Sequence, residues 1–437
     1  MTAEIAIINK NAVALAADSA VTLRDPQAPK IYNTANKLFM LSKFHPVGIM
    51  VYGSAEIMGV PWEIIVKVYR SRLGERNFDK LEQFSKHFFE HLDQSRLLFS
   101  DSRQRSAFKR MLSGFFWHIR GRIQKRVEEI LKTSSPLPDA ELAALVNTEI
   151  DEWFEPWRQE EDLACFSPGF DKTVSDNYRQ EIDETIDLVF EKLVDDIQRE
   201  KLTQLAVWRV TKDRWADSSG IVFAGFGEQE IFPCVKSFRV ESVVCDKTRV
   251  SPTDIWSHNM NEVESSSIIP FAQAEIVHRF LRGIDPEYKS DIAKYLETLL
   301  SAVYPDKLKD ILKQKLGAED QEALVNEITE AGKAIFQDAQ KEWDQREFKR
   351  YVEPVVDTVA ELPKDELAAM AESLVNLTSF KRRISKDMET VGGPVDVAVI
   401  SKGDGFVWIK RKHYFSKELN PHFLSTYYRK EGLDDRQ

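Results

Sequence analysis

The chain has 437 residues, a formal net charge of −11 and a pI near 5.4, with 43% hydrophobic and 30% charged residues. That length and composition fit a globular protein with a large core and two or three domains, and the acidic balance argues against a nucleic-acid-binding surface. No apolar run approaches the roughly 20 residues of a membrane helix, and the three cysteines, Cys165, Cys234 and Cys245, form neither a zinc-ligand spacing nor a disulfide framework. The expectation is a cytoplasmic protein with no membrane or nucleic-acid partner, no cofactor and no metal. The first residues also lack the basic n-region of a signal peptide.

The chain opens on two short apolar runs, residues 5–8 and 12–17, around the turn signal Asn9-Lys10-Asn11. This pattern predicts a β-hairpin. Centring it on Lys10 sets Thr2 opposite Asp18, with Cβ atoms roughly 4.5–5.5 Å apart. Removal of Met1 would leave Thr2 with a hydroxyl and a free α-amine, a nucleophile that carries its own base. A loop over residues 21–35 follows. Residues 37–41 then read as a short strand, and 47–55 as a strand ending in the turn Gly53-Ser54-Ala55.

Residues 61–132 switch to helical periodicity, broken by Ser134-Ser135-Pro136-Leu137-Pro138-Asp139. Helical pattern resumes over 140–157 and 177–200. Strands return over 205–250, with 220–226 and 230–235 as a pair. Residues 269–281 read as a helix stopped by Gly283, and 285–376 as charged helices. Strands over 395–400 and 406–410, around Gly403-Asp404-Gly405, close the pattern. The organisation expected is one β core in three pieces, residues 1–60, 205–284 and 377–437. Helical insertions over 61–204 and 285–376 interrupt it.

The order Thr2, Ala16-Ala17-Asp18-Ser19, Lys37 and Gly53-Ser54-Ala55 resembles the β-type proteasome subunits and their bacterial ATP-dependent protease relatives. These are N-terminal-nucleophile (Ntn) hydrolases. A second match, Asp387-Met388-Glu389-Thr390-Val391-Gly392-Gly393, resembles the family's Asp-x-x-Ser-Gly-Gly segment. Thr390 stands in for the Ser, and Val391 is an extra residue. A weaker third match is Ser267, which resembles the Ser that opens a family helix. The matches cover well under half of the chain.

The resemblance implies an α+β fold, a four-layer αββα sandwich, here carrying two large helical insertions. It implies a threonine peptidase or amidohydrolase that cleaves amide bonds of a peptide or protein through Thr2. In the family's scheme the α-amine is the general base; its unperturbed pKa of roughly 7.7–8.0 suits that task. Lys37 would keep the amine neutral, and Asp18 would orient Lys37 through a charge-assisted bond. Asp387, Thr390 and Ser267 would hydrogen-bond the amine and hydroxyl. The oxyanion donors would be the amides of Tyr52 and Gly53, with Tyr52 where the family usually has Gly. Family assembly implies a homo-oligomer, with a separate ATPase as a partner.

Two other readings stay open. A proteasome-like scaffold would keep the fold without catalysis and use the insertions as a binding surface. A zinc peptidase would use His87, Glu90 and His91, which match the H-x-x-E-H pattern and place both histidines on one helix face. The cluster Phe115-Phe116-Trp117-His118 with Arg120 and Arg122 reads as helix core plus a solvated basic face.

Overall fold

The computed structural model describes residues 3–23, 30–132, 138–253, 257–261, 264–312, 317–385, 391–416 and 418–422. The chain begins with β1 (Glu4–Asn9), β2 (Ala12–Ala17), β3 (Val21–Leu23), β4 (Lys30–Tyr32), β5 (Leu38–Met40), β6 (Val47–Gly53), β7 (Glu56–Ile57) and β8 (Val60–Pro61). Helices follow: α1 (Trp62–Leu73), α2 (Leu81–Gln94), α3 (Asp101–Leu131), α4 (Asp139–Gln159), α5 (Phe170–Asn177), α6 (Arg179–Phe190) and α7 (Asp196–Thr211). Then come β9 (Ser219–Gly225), β10 (Cys234–Val244), β11 (Lys247–Pro252), β12 (His258–Asn259) and β13 (Ser266–Pro270). The remainder is α8 (Ala274–Arg282), α9 (Pro286–Thr298), α10 (Tyr304–Leu312), α11 (Ala318–Glu347), α12 (Glu353–Glu361), α13 (Lys364–Ile384), β14 (Asp396–Ser401) and β15 (Gly405–Lys410). The fold is mixed α+β with antiparallel sheets. No helix among the described residues is long and apolar enough to cross a membrane.

The chain divides into two compact units. The first comprises residues within 1–35, 259–401 and 407–437; the second comprises 36–258 and 402–406. Each sheet therefore travels with its own helices.

The first unit holds a sheet in the order β13-β1-β2-β14-β15. The inner strands pack Ile5, Ile7, Ala12, Ala14, Ala16, Val397 and Val399 against α13. The helix answers with Leu367, Ala371, Leu374 and Val375, an apolar stripe at helical spacing. Alanines on both surfaces, including Ala368 and Ala371, let the helix approach the sheet closely, so added methylenes here would overpack it. Residues 364–376, read as part of the second insertion, are thus the first half of the helix that covers the sheet.

The hairpin β1–β2 forms as expected, but its loop is two residues, Lys10-Asn11. Ile8 pairs with Val13 and Glu4 with Ala17. The Asn9 side chain explains the tighter loop. Its Oδ1 accepts from the Asn11 N–H at 2.9 Å and the Ala12 N–H at 3.2 Å, closing the turn locally. Its Nδ2 donates to the carbonyls of Val359 and Leu362, both at 3.0 Å, tying the turn to the end of α12. The register is therefore one residue from that of a turn centred on Lys10. Asp18 meets Ala3: the Asp18 N–H donates to the Ala3 carbonyl at 3.1 Å.

The second unit holds a sheet in the order β11-β10-β9-β6-β5, with β12 also paired to β10. Helix α2 lays Phe84, Phe88 and Phe89 on it. The Phe88 ring meets Phe223 edge-on at 5.4 Å, and Phe89 meets Phe238 at 5.1 Å. A second core forms among α3 to α7, around Phe108, Leu112, Phe116, Ile182, Ile186 and Phe190. The strand expected over 230–235 begins later, at Cys234, because the Gly227 N–H and the Leu81 N–H both donate to the Glu230 carboxylate and hold the preceding turn.

Candidate functional site

In the first unit, the open end of the hairpin is organised by one carboxylate. Asp18 follows β2 and is wholly buried. A buried charge needs donors to replace water. Its Oδ1 accepts the Ala3 N–H at 3.1 Å. Its Oδ2 accepts the Gly392 N–H at 3.0 Å and the Ala20 N–H at 3.3 Å. The carboxylate thus fixes the residue after Thr2 and the second residue after Thr390 together.

Ser19 strengthens the same junction. Its N–H donates to the Gly392 carbonyl at 3.1 Å, its hydroxyl donates to the Pro394 carbonyl, and its own carbonyl accepts the Ala35 N–H at 3.1 Å. Gly393 has φ +78°, and a Cβ there would lie 2.8 Å from Asn33 Cβ and 3.2 Å from Ser19 Cβ. Both the conformation and the space require glycine. Thr2, Asp387 and Thr390 lie outside the described residues, so the junction is defined by their neighbours Ala3, Val391 and Gly392.

Ser267 is not part of this cluster. It sits in β13, paired with Ile8 near the turn end of the hairpin, where a helix start was expected. That pair lies five residue steps along the strand from Ala3, about 17 Å. The helix α8 begins seven residues later, at Ala274.

In the second unit, Lys37, Tyr52 and Gly53 come together on neighbouring strands. Lys37 is buried, and its carbonyl accepts the Val51 N–H at 2.8 Å, just before the β5–β6 ladder. Tyr52 pairs with Gly220 and Gly53 with Ser219 across β6–β9. The Tyr52 ring lies flat over Gly220; a Cβ at 220 would fall 1.9 Å from Tyr52 Cζ. Gly53 has φ +80°, and a Cβ there would lie 2.7 Å from the Ser218 carbonyl. The Ser219 hydroxyl accepts the Trp62 indole N–H at 2.9 Å and donates to the Ser54 carbonyl at 3.1 Å, pinning the turn that follows. Gly220 was not singled out in the sequence. Its only sequence signal is a glycine opening a β-branched run.

His87 and His91 share a face of α2, as their spacing predicts, but their ring nitrogens have other partners. His87 Nδ1 meets the Tyr69 hydroxyl at 3.0 Å, and its Nε2 meets Arg76 at 2.9 Å. His91 Nδ1 meets Arg72 at 3.1 Å. Burial, then the Arg72 cation and His87, pushes His91 down to about 4. Glu90 is exposed. Among the described residues no group of three or more His, Cys, Asp or Glu is placed to hold a metal. Two flanking guanidinium groups repel a divalent cation, so the geometry gives the pair a packing role.

Compared with known proteins, the chain matches no family model and no curated protein.

Proposed function

We propose that this protein is a proteasome-like Ntn hydrolase that cleaves amide bonds through Thr2 after loss of Met1. The observation that carries the proposal is the Asp18 carboxylate, which holds both Ala3 and Gly392 by their N–H groups. It supports the reading because the Thr2-to-Asp18 match and the Asp387-to-Gly393 match are independent in sequence, yet their neighbouring residues share one hydrogen-bond acceptor. The buried Lys37, in the position of the family's lysine, is the second support.

The chemistry proposed has two stages. The Thr2 amine takes the proton of its own hydroxyl as Oγ attacks the substrate carbonyl carbon. The carbonyl oxygen becomes an oxyanion, for which the Tyr52 and Gly53 amides are the proposed donors. Collapse expels the amine leaving group, which takes the proton, and leaves an ester on Thr2. Water then attacks the ester with the same amine as base, releasing the acid. The roles of Lys37, Asp387 and Thr390 follow the family's scheme. Ser267 is withdrawn from the set because its strand position lies far from Asp18. A four-layer sandwich, a homo-oligomer and an ATPase partner belong to the same proposal.

Intact-mass analysis of the native N-terminus, with labelling by a peptide epoxyketone, tests it. Such a reagent needs both the hydroxyl and the amine of Thr2. The expected result is a mass lacking Met1 and one label per chain on Thr2. A retained Met1 with no labelling would establish the scaffold reading instead, because an acylated amine cannot act as the base.

A further inference from the structure

In the first unit, helix α9 turns its apolar face away from its own chain. Tyr288, Ile292, Tyr295 and Leu299 recur at the i, i+4, i+7, i+11 spacing of a coiled-coil seam. Tyr288 is 62% exposed and Tyr295 68% exposed, and no residue of α9 is buried. A π-helical turn, Leu299–Val303, leads into α10. Its i→i+5 bonding fits more residues into each turn, so Val303 stays in line with Leu299 and the seam continues.

The opposite face of α9 looks toward α8 and α11 and is polar. Lys289, Ser290, Lys294 and Glu297 line a cleft of about 670 Å³ there, with Phe336 and Trp343 on the α11 side. Lys289 bonds Asp344 at 2.7 Å and also the buried Glu347. Beyond Glu297, α11 meets the π-helical turn closely: a Cβ on Gly332 would lie 2.5 Å from the Leu300 carbonyl. This inverts the usual amphipathic helix, which keeps its apolar stripe on its own core and its charges in water. Ion pairs hold the inward side, and the apolar seam is left in solvent.

Charge and area point to the occupant. Glu287 and Asp291 stand near the start of the seam, and Lys307 of α10 stands beyond its end. All three are exposed, and none makes an ion pair among the described residues. A second copy running antiparallel sets Lys307 beside the partner's Glu287 and Asp291, whereas a parallel copy sets like charges together. A two-fold axis near residue 297 makes that match at both ends and seats Tyr295 on the partner's Leu299. Covering the exposed parts of the five seam residues, with Tyr304 and Ile311 beside them, buries about 600 Å² per copy, taking roughly 150–250 Å² for a whole aromatic side chain. The pair then buries about 1,200 Å², the area of a small specific interface.

We propose that two copies of this chain pair antiparallel through α9 and the start of α10, with Tyr288, Ile292, Tyr295, Leu299 and Val303 as the seam. Every residue this interface uses lies within the helical segment 285–376, apart from all of the proposed hydrolase residues. It therefore stands whether or not Thr2 is a nucleophile.

Sedimentation equilibrium of the full chain at micromolar concentration tests it. The unaltered protein should assemble as an even number of copies. Tyr295→Asp should halve that number, raising the dissociation constant about 100-fold or more by setting a charge on the seam. Lys307→Glu should weaken pairing by about tenfold, and adding Glu287→Lys and Asp291→Lys should restore it. All four positions are exposed, so the far-ultraviolet circular dichroism of every variant should match the original. A monomer, an odd number of copies, or a Tyr295→Asp protein that assembles like the original would each overturn the proposal, and a monomer would leave the seam to a different protein. Failure of the triple charge exchange to restore pairing would overturn the antiparallel arrangement. The charge exchange keeps the test decisive even where Tyr295→Asp lowers the stability of α9.

Discussion

Asp18 accepts the N–H of Gly392 at 3.0 Å across 374 positions of sequence. The same carboxylate holds Ala3 and Ala20. This one side chain therefore joins the first hairpin to the segment leading into β14.

The junction predicts a large stability effect. Asp18→Ala leaves three N–H groups without their acceptor, which should cost about 3 kcal/mol or more. Asp18→Asn keeps one carbonyl oxygen but turns a donor group toward N–H groups, so it should fall between. Urea unfolding of the three proteins, followed by circular dichroism, measures this. An Asp18→Ala protein within about 1 kcal/mol of the original would mean that the carboxylate does not hold the hairpin.

The catalytic proposal predicts a different response at Lys37. Lys37→Ala should slow epoxyketone labelling of Thr2 by about 10²-fold or more, the scale of losing general-base function. The near-ultraviolet circular dichroism spectrum should be unchanged. Labelling at the original rate in Lys37→Ala would remove Lys37 from the mechanism.

Tyr52 and Gly220 form a pair that a double-mutant cycle can read. Gly220→Ala alone drives a methyl into the Tyr52 ring and should destabilise by about 1–3 kcal/mol. In a Tyr52→Ala background the same change should cost much less, giving a coupling energy well above the roughly 0.5 kcal/mol scatter of independent sites. Equal costs in both backgrounds would show that the ring does not lie where described.

His91 predicts a pH dependence. Its folded pKa is pushed down to about 4 from an ordinary 6.5. The folded state therefore binds its proton less readily than the unfolded state. The associated stability is fully present above pH 6.5 and is lost as pH falls from there toward 4. The gap in urea midpoint between the original protein and His91→Gln should change over that window and stay constant above pH 7. A constant gap from pH 7 down to 4.5 would contradict the shift.

The hairpin was legible because apolar runs flanking an Asn-rich turn have few other solutions. Its register was not, since a two- or three-residue loop depends on what the Asn9 side chain bonds. Ser267 shows the limit of local signals. Ser265-Ser266-Ser267 before an apolar run reads equally as a helix start or a strand, and pairing with β1, more than 250 positions earlier, decides it. Lys37 and the turn after Gly53 were legible as strand-end features, whereas Gly220 gains meaning only from the ring that crosses it. On the basic face of α3, Arg122 stays 39% exposed while bonding Glu149 and Glu152 of α4, a pairing that local sequence does not show.

The two clamps on the hairpin, Asn9 onto α12 and Asp18 onto Gly392, set an order of events during synthesis. β1 and β2 leave the ribosome before β14, the neighbour of β2 in the sheet, whose residues are translated 379 to 389 positions after their partners. At about 5–20 residues per second that is a wait of roughly 20–75 s. Throughout it, the β2 edge of Ala12–Ala17 has no strand to accept its hydrogen bonds. Unpaired apolar edges invite association with other chains. The second unit meanwhile has all but five of its residues in one continuous stretch, 36–258, and can close while translation continues. The nascent protein is thus half folded with the hairpin still waiting, and a Thr2 nucleophile would stay inert until β14 had been made.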